Sequence, residues 1–138
     1  GGGINHRFSL ADAIMIKDNH IAACGSILNA IKKARNYIPH TMTIEVEAET
    51  EAQVVEALTA GADIILLDNM TPQEMARLVK LIRNHPGNRK VIIEASGNID
   101  ESNVHEVAVT GVDIISSGTI THSAKALDIT LRIETILE

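Results

Sequence analysis

The chain has 138 residues, of which 45% are hydrophobic, so it carries enough apolar content for one core and one domain. That length excludes a complete eight-stranded (β/α) barrel, which takes about 250 residues, so any barrel must be partial. The net charge of −6 argues against nucleic acid and against an anionic membrane surface as partners.

Five short apolar runs rich in β-branched residues predict strands, at residues 13–16, 43–46, 64–67, 91–93 and 112–115. Phe8 and Tyr37 are the only aromatic residues, so the core must be aliphatic, as in buried parallel sheets. The segments between these runs have helical periodicity. The resulting order, βαβαβαβαβα, predicts an α/β fold with parallel strands joined by right-handed crossovers.

The helices carry explicit start and stop signals. Ser26 can cap the first helix, Thr50 with Gln53 forms a capping box for the second, and Thr71-Pro72-Gln73-Glu74 opens the third. Gly61 supplies a stop. We predict a fourth helix from Asp100 to Gly111 and a last one over 126–137. The run Gly61-Ala62-Asp63-Ile64-Ile65 returns as Gly111-Val112-Asp113-Ile114-Ile115, which suggests an internal repeat.

The single cysteine, Cys24, cannot form an internal disulfide, which is typical of a reducing compartment and predicts a small buried side chain. No apolar run approaches the roughly 18 residues that a membrane span needs, and Gly1-Gly2-Gly3 does not resemble a signal peptide. We therefore expect a cytoplasmic protein. A start on three glycines without Met also leads us to expect that the chain begins inside a longer protein.

Polar residues follow each predicted strand: Lys17-Asp18-Asn19-His20, Glu47, Asp68-Asn69, Glu94 with Ser96-Gly97, and Ser116-Ser117-Gly118-Thr119. One such cluster could merely cap a helix. Five aligned clusters favour an active site, because the carboxyl ends of parallel strands meet at one edge and capping does not call for Glu or Lys.

The last two clusters, Ser96-Gly97-Asn98 and Ser117-Gly118-Thr119, are typical of phosphate-binding loops, since glycine lets backbone N–H groups approach an anion. Carboxylates at Asp18, Glu47 and Asp68 would repel a phosphate unless a cation intervenes. Hard oxygen ligands beside phosphate favour Mg²⁺, which takes only one or two carboxylates as ligands.

Three positive side chains lie near this edge in the sequence: His6, Arg7 and Lys17. They could bind an anionic substrate, or His6 and Arg7 could form a solvated loop and Lys17 an exposed surface residue. We expect His40, His85 and His105 to lie at the surface. No Cys/His spacing indicates zinc.

These motifs, in this order, resemble one family. The series His6-Arg7, Lys17-Asp18-Asn19-His20, Leu67-Asp68-Asn69-Met70 and the two Ser-Gly loops, with Gly1-Gly2-Gly3 before them, closely resembles the carboxy-terminal domain of quinolinate phosphoribosyltransferase, a decarboxylating nicotinate-nucleotide pyrophosphorylase. The likeness covers essentially the whole chain. It implies a partial, open TIM-like barrel with about five parallel βα units, residues 1–138 forming one catalytic domain without the family's amino-terminal domain and first strands.

The resemblance also implies an activity and roles. Quinolinate and phosphoribosyl pyrophosphate would give nicotinate mononucleotide, pyrophosphate and CO₂. His6, Arg7 and Lys17 would surround the quinolinate carboxylates, and Glu47 and Asp68 would meet the ribose and, through Mg²⁺, the pyrophosphate. Five residues would line the 5′-phosphate site: Ser96, Gly97, Ser117, Gly118 and His122.

The chain departs from the family pattern in two ways. A Thr-Arg-Lys-Thr motif expected before the triple glycine is absent, and Asn98 stands where a second glycine is usual. We therefore expect negligible activity from this chain alone, and a homodimer or larger homo-oligomer for the family's enzyme. Two alternatives stay open: an inactive partial barrel with a structural role, and a related pyrophosphorylase for another aromatic acid.

Overall fold

The computed structural model describes residues 2–86, 90–123 and 126–134. Its strands are β1 Ile14–Ile16, β2 Ile44–Ala48, β3 Ile64–Asp68, β4 Ile92–Ser96 and β5 Ile114–Ile115. Its helices are α1 Asp18–Cys24, α2 Ile27–Tyr37, α3 Glu51–Ala60, α4 Pro72–Arg83, α5 Val104–Ala108 and α6 Thr119–His122.

The five strands form one sheet in the order β1-β2-β3-β4-β5, and every neighbouring pair is parallel. Sequential order with parallel pairing is the arrangement of a barrel wall. The predicted α/β class and the partial, open TIM-like barrel are therefore confirmed.

Alternation along each strand divides the sheet into two faces. On β2, Ile44, Val46 and Ala48 are fully buried and belong to the same apolar cluster as Val54 of α3 and Met75 of α4. The residues between them point to the opposite face, because successive side chains of a strand alternate. The helices therefore cover one face with the aliphatic core, and the polar side chains of β2 and β4 lie on the other.

Local chemistry sets the starts of α2, α3 and α4 and the end of α3 as predicted. Ser26 Oγ accepts a hydrogen bond from the Asn29 amide at 3.1 Å. Capping boxes form at Thr50 with Gln53 and at Thr71 with Glu74. Gly61 ends α3 with a φ of 84°, a left-handed conformation that glycine adopts without steric cost.

Several predicted boundaries were wrong. β2, β3 and β4 extend to Ala48, Asp68 and Ser96, so the polar residues predicted to follow these strands belong to them instead. β5 has two residues instead of four. The three extensions arise from pairing with neighbouring strands, which continues the ladder through polar residues whose own strand propensity is low. On β5 only Ile114 and Ile115 pair with β4.

The segment after β1 is also different from the prediction. Lys17-Asp18-Asn19-His20 opens helix α1, which the sequence patterning missed because the helix buries no residue fully. His20 Nδ1 accepts a hydrogen bond from the Lys17 amide at 3.0 Å and so satisfies a backbone donor at the start of the helix. The cluster therefore supplies a helix start as well as side chains at the sheet edge.

The carboxy-terminal helices differ as well. Asp100 does not begin a helix, because its carboxylate accepts hydrogen bonds from the amide and hydroxyl of Ser102 and forms a turn, so α5 begins only at Val104. Residues 126–134 contain no helix, and the rest of the predicted segment lies outside the described residues.

The remaining expectations concern single residues. His40 and His105 are exposed as expected, whereas His85 is half-buried beyond the end of α4. Cys24 is half-buried and packs against the core. Within the described ranges, no helix is both long and apolar enough to cross a membrane.

Candidate active site

A cluster of three carboxylates lies at the carboxyl ends of β2 and β3. One oxygen atom from each of Glu47, Glu49 and Asp68 lies within 4.8 Å of the others. Glu47 and Asp68 were predicted to lie together, but Glu49 was missed because it follows the apolar run and resembles an exposed loop residue. Three convergent carboxylates suit a divalent cation with hard oxygen ligands.

Lys17 is the counter-ion of this cluster. Its Nζ lies 2.7 Å from Glu47 Oε2, although the two residues come from different strand ends. The hydrogen bond to Glu47, together with the charges of Glu47, Asp68 and Asp18, raises the pKa of Lys17 above its usual value despite some burial. Lys17 therefore stays protonated at neutral pH and holds a positive charge at the edge of the cluster.

A second titratable cluster lies deeper on the same face of the sheet. His6 Nε2 is 3.4 Å from Glu45 Oε2 and 3.4 Å from Glu94 Oε1. Both glutamate side chains are 3% exposed, and the Ser116 hydroxyl donates to Glu94. These residues are distant in the sequence: His6 precedes β1, and the two glutamates lie on β2 and β4, which are separated by β3 in the sheet.

Glu45 has the clearest perturbed carboxyl group of this second cluster. Burial raises its pKa, and the nearby charge of Glu94 raises it further, while His6 and Arg7 act in the opposite direction. Its Oε1 is buried without a hydrogen-bond partner among the described residues. Sequence reasoning missed Glu45, and the available signal was its position two residues before Glu47, which places both on the same strand face.

The loop after β4 has an unusual backbone. Gly97 has a φ of 88° and Asn98 a φ of 51°, both in the left-handed region. A Cβ on Gly97 would lie 2.6 Å from the backbone nitrogen of Asn69, so only glycine fits. Ser96 ends β4 and accepts a hydrogen bond from the Asn69 amide through its carbonyl at 3.0 Å. Predicted loop residues and the Asp68-Asn69 turn are thus in direct contact.

The loop after β5 is attached to the loop after β4. The hydroxyls of Ser117 and Thr119 both donate to the carbonyl of Ile99. His122 packs over Gly118, where an added Cβ would lie 2.9 Å from its Nε2. The predicted phosphate-loop residues Ser117, Gly118 and His122 therefore form one local group beside a groove of about 730 Å³.

Arg7 lies near Glu45, on whose carboxyl group its charge acts, and Asp18 lies near Lys17. Arg7 is half-buried and lines, with Lys17 and Met15, a groove of about 430 Å³ along β1. Asp18 is the first residue of α1, and its carboxylate accepts a hydrogen bond from the Asn19 amide at 2.7 Å. Its negative charge acts on Lys17, but its oxygens are not among those that meet in the carboxylate cluster.

Comparison with known proteins shows the family of this chain. Residues 1–132 match the family model for the C-terminal domain of quinolinate phosphoribosyl transferase. A probable carboxylating nicotinate-nucleotide pyrophosphorylase of Bacillus subtilis is 54% identical over 131 residues, which are 95% of this chain and 44% of that protein. The corresponding protein of Archaeoglobus fulgidus is 50% identical and covers 96% of this chain and 50% of its own length.

Solved structures agree. The nicotinate-nucleotide pyrophosphorylase of Francisella tularensis superposes with a TM-score of 0.83 at 41% identity, covering 93% of this chain and 44% of that one. A deletion mutant of NadC superposes with a TM-score of 0.82 at 50% identity, and the match covers 92% of this chain and 43% of that one. The chain spans about half the length of the relatives it matches. By sequence and by fold, this chain belongs to the quinolinate phosphoribosyl transferase family, in its C-terminal domain.

Proposed function

We propose that this chain supplies the phosphoribosyl-transfer site of a quinolinate phosphoribosyltransferase acting in NAD biosynthesis. The observation that carries the proposal is the contact between Lys17 and Glu47 inside a three-carboxylate cluster, next to the loops after β4 and β5. Cation, carboxylates and loop amides are the groups that a reaction between a dicarboxylate and a phosphorylated sugar needs in one place.

In the proposed reaction, the quinolinate ring nitrogen attacks C1 of the ribose and pyrophosphate leaves. The C2 carboxylate is then lost as CO₂, a proton takes its place, and nicotinate mononucleotide remains. His6, Arg7 and Lys17 bind the two carboxylates of the pyridine ring. Glu45 Oε2 and Glu94 Oε1 each lie 3.4 Å from His6 Nε2, and these contacts hold the His6 ring at the base of the site.

The carboxylates act on the sugar. Positive charge develops around C1 as the bond to pyrophosphate breaks, and the negative charges of Glu47 and Asp68 stabilise it. The oxygen donor set of Glu47, Glu49 and Asp68 fits Mg²⁺, which would neutralise charge on the leaving pyrophosphate when bound. The negative charge of Asp18 helps to raise the pKa of Lys17 and so to keep Lys17 protonated.

The 5′-phosphate is proposed to bind between the two loops. Gly97, Asn98 and Gly118 offer backbone N–H groups, and Ser96 and His122 offer side-chain donors near them. The Ser117 hydroxyl is engaged by the Ile99 carbonyl, so Ser117 contributes by holding the two loops together. The shared contact of Ser117 and Thr119 with the Ile99 carbonyl supports a common site, because it ties the two loops together. We further propose that the protein is cytoplasmic and works as a homodimer or larger homo-oligomer.

Binding tests the proposal directly, since the chain spans about half the length of its relatives. Titration calorimetry should detect phosphoribosyl pyrophosphate binding that requires Mg²⁺ and is lost in Asp68→Asn. Turnover of quinolinate to nicotinate mononucleotide is followed in parallel by chromatography. Binding without Mg²⁺ dependence, or preference for another aromatic acid over quinolinate, would contradict the proposal. A chain that binds none of these ligands would favour an inactive structural role.

A further inference from the structure

Side-chain amides connect the carboxylate cluster with the loop after β4. Asn69 Nδ2 donates to Asp68 Oδ2 at 2.7 Å, and Asn98 Nδ2 donates to Asn69 Oδ1 at 2.9 Å. Asn103 Nδ2 in turn donates to the backbone carbonyl of Asn98 at 2.9 Å. The Asn69 amide is oriented from both ends, because its nitrogen donates to Asp68 and its oxygen accepts from Asn98, while Asn103 holds the backbone of Asn98.

The backbone holds the two central asparagines in place. Asn69 has a φ of 53° and Asn98 a φ of 51°, a region that few residues besides glycine and asparagine adopt. The Asn69 amide is anchored to the Ser96 carbonyl at 3.0 Å, and Gly97 presses against the Asn69 side chain. The Asn69 amide therefore has little freedom to turn away from Asp68.

We propose that Asn69 is a positioning residue. Its side-chain amide, held by Asn98, orients the Asp68 carboxylate toward Glu47 and Glu49 and so links the cation site to the loop after β4. Hydrogen bonds to ligating carboxylates are known to fix their direction and to strengthen metal binding. The inference rests on the proposed function, in which Asp68 contributes to a cation site.

Two glycine substitutions isolate the amides from the backbone. Asn69→Gly and Asn98→Gly keep the left-handed conformation accessible and remove only the side chains. Mn²⁺ serves as the probe, and its binding to the chain is measured by electron paramagnetic resonance. We expect Asn69→Gly to weaken Mn²⁺ binding about tenfold and Asn98→Gly about threefold. The first variant loses the hydrogen bond to the ligating carboxylate of Asp68, whereas the second loses only the hydrogen bond that orients Asn69.

Asn29→Ala is the matched control. The Asn29 side-chain amide also donates a hydrogen bond, to the Cys24 carbonyl at 3.2 Å, but at the start of α2 and away from the cluster. The Mn²⁺ affinity of Asn29→Ala should equal that of the unaltered chain. Thermal unfolding of all variants separates a loss of orientation from a general loss of stability, because a merely structural role would lower the melting temperature without a selective effect on Mn²⁺.

The outcomes separate the inference from the function on which it rests. If Asn69→Gly and Asn98→Gly bind Mn²⁺ as tightly as the unaltered chain, the positioning role is wrong. If the unaltered chain binds no Mn²⁺, the cation part of the proposed function fails, and hydrogen exchange of the Asn69 side-chain amide decides the inference. Slow exchange that becomes fast in Asn98→Gly supports the link, and equal rates overturn it.

Discussion

Asp63 and Asp113 make equivalent contacts at the amino-terminal ends of β3 and β5. The Asp63 carboxylate accepts hydrogen bonds from the Ile44 amide at 2.8 Å and from Arg35 of α2. The Asp113 carboxylate accepts from the Ile93 amide at 2.7 Å and from Arg83 of α4 at 2.6 Å. Each aspartate thus joins a strand to the neighbouring strand and to a helix, which gives the repeated Gly-x-Asp-Ile-Ile run a structural reason.

The first prediction concerns this pair. Asp113→Asn should lower the free energy of unfolding by about 1 kcal/mol, and Asp63→Asn by about 2 kcal/mol, because each loses a hydrogen bond to a charged partner and Asp63 is less exposed. Urea unfolding at pH 7 measures both. Asp128→Asn, at an exposed position, is the control and should change little.

The effect of Asp113→Asn should also depend on pH. Burial alone would raise the pKa of Asp113, but Arg83 and the Ile93 amide outweigh it and hold that pKa below its ordinary value of 3.8. The carboxylate therefore stabilises the fold above that value, and the contribution is lost as the pH falls through the lowered pKa. The free energies of unfolding of the unaltered chain and of Asp113→Asn should therefore become equal at acidic pH. A constant difference down to the lowest pH at which the chain folds would contradict this explanation.

The second prediction concerns Glu45. Its pKa is raised, first by burial and then by Glu94, so the native state holds this proton more tightly than the unfolded chain. The resulting stability is present below the unfolded value of about 4.5 and is lost as the pH rises through the folded pKa. Glu45→Gln cannot lose a proton, so its stability should decline less over the same pH range.

Unfolding free energies between pH 4 and pH 9 test this behaviour. The two curves should separate progressively toward the alkaline end, because only in the unaltered chain does the folded state have to release this proton. Glu106→Gln, at an exposed position of α5, should follow the unaltered chain. Parallel curves for Glu45→Gln and the unaltered chain would show that Glu45 has the same pKa in the folded and the unfolded chain, which would contradict this explanation.

The third prediction uses two glycines with nearly the same backbone conformation. Gly25 has a φ of 81° and open space within 4 Å, whereas a Cβ on Gly97, at a φ of 88°, would meet Asn69 Oδ1 at 2.4 Å. Gly25→Ala should cost about 1 kcal/mol, the strain of the left-handed conformation alone. Gly97→Ala should cost about 3 kcal/mol, because the Asn69 turn must also move. Equal losses of unfolding free energy for the two variants in urea would show that the loop after β4 rearranges around the added Cβ at no further cost.

The fourth prediction concerns competition between Lys17 and a cation. Lys17 Nζ donates a hydrogen bond to Glu47 Oε2 at 2.7 Å, so a cation that binds this oxygen must compete with Lys17. Lys17→Met should therefore strengthen Mn²⁺ binding about fivefold while weakening quinolinate binding, because one positive charge leaves the site. Lys80→Met, on the exposed surface of α4, is the control. Weaker Mn²⁺ binding in Lys17→Met would show that Lys17 supports the cluster instead of competing in it.

Local sequence determined much of this protein. β-Branched runs set the five strands, and the capping residues Ser26, Thr50 and Thr71 set the helix starts, because these signals act within one turn or one strand. The alternation of strands and helices was enough to predict parallel pairing and the edge at which Lys17, Glu47 and Asp68 meet. These features depend on neighbours in the chain, which the sequence displays directly.

Only the tertiary structure decided which polar groups meet across strands. Glu45 and Glu94 lie inside apolar runs of β2 and β4, and nothing local shows that His6 joins them. The same is true of Glu49 in the carboxylate cluster and of the bond from Asn98 to Asn69. The physical reason is register: the ladders align β2, β3 and β4 at fixed offsets, and these offsets arise from packing over the whole sheet.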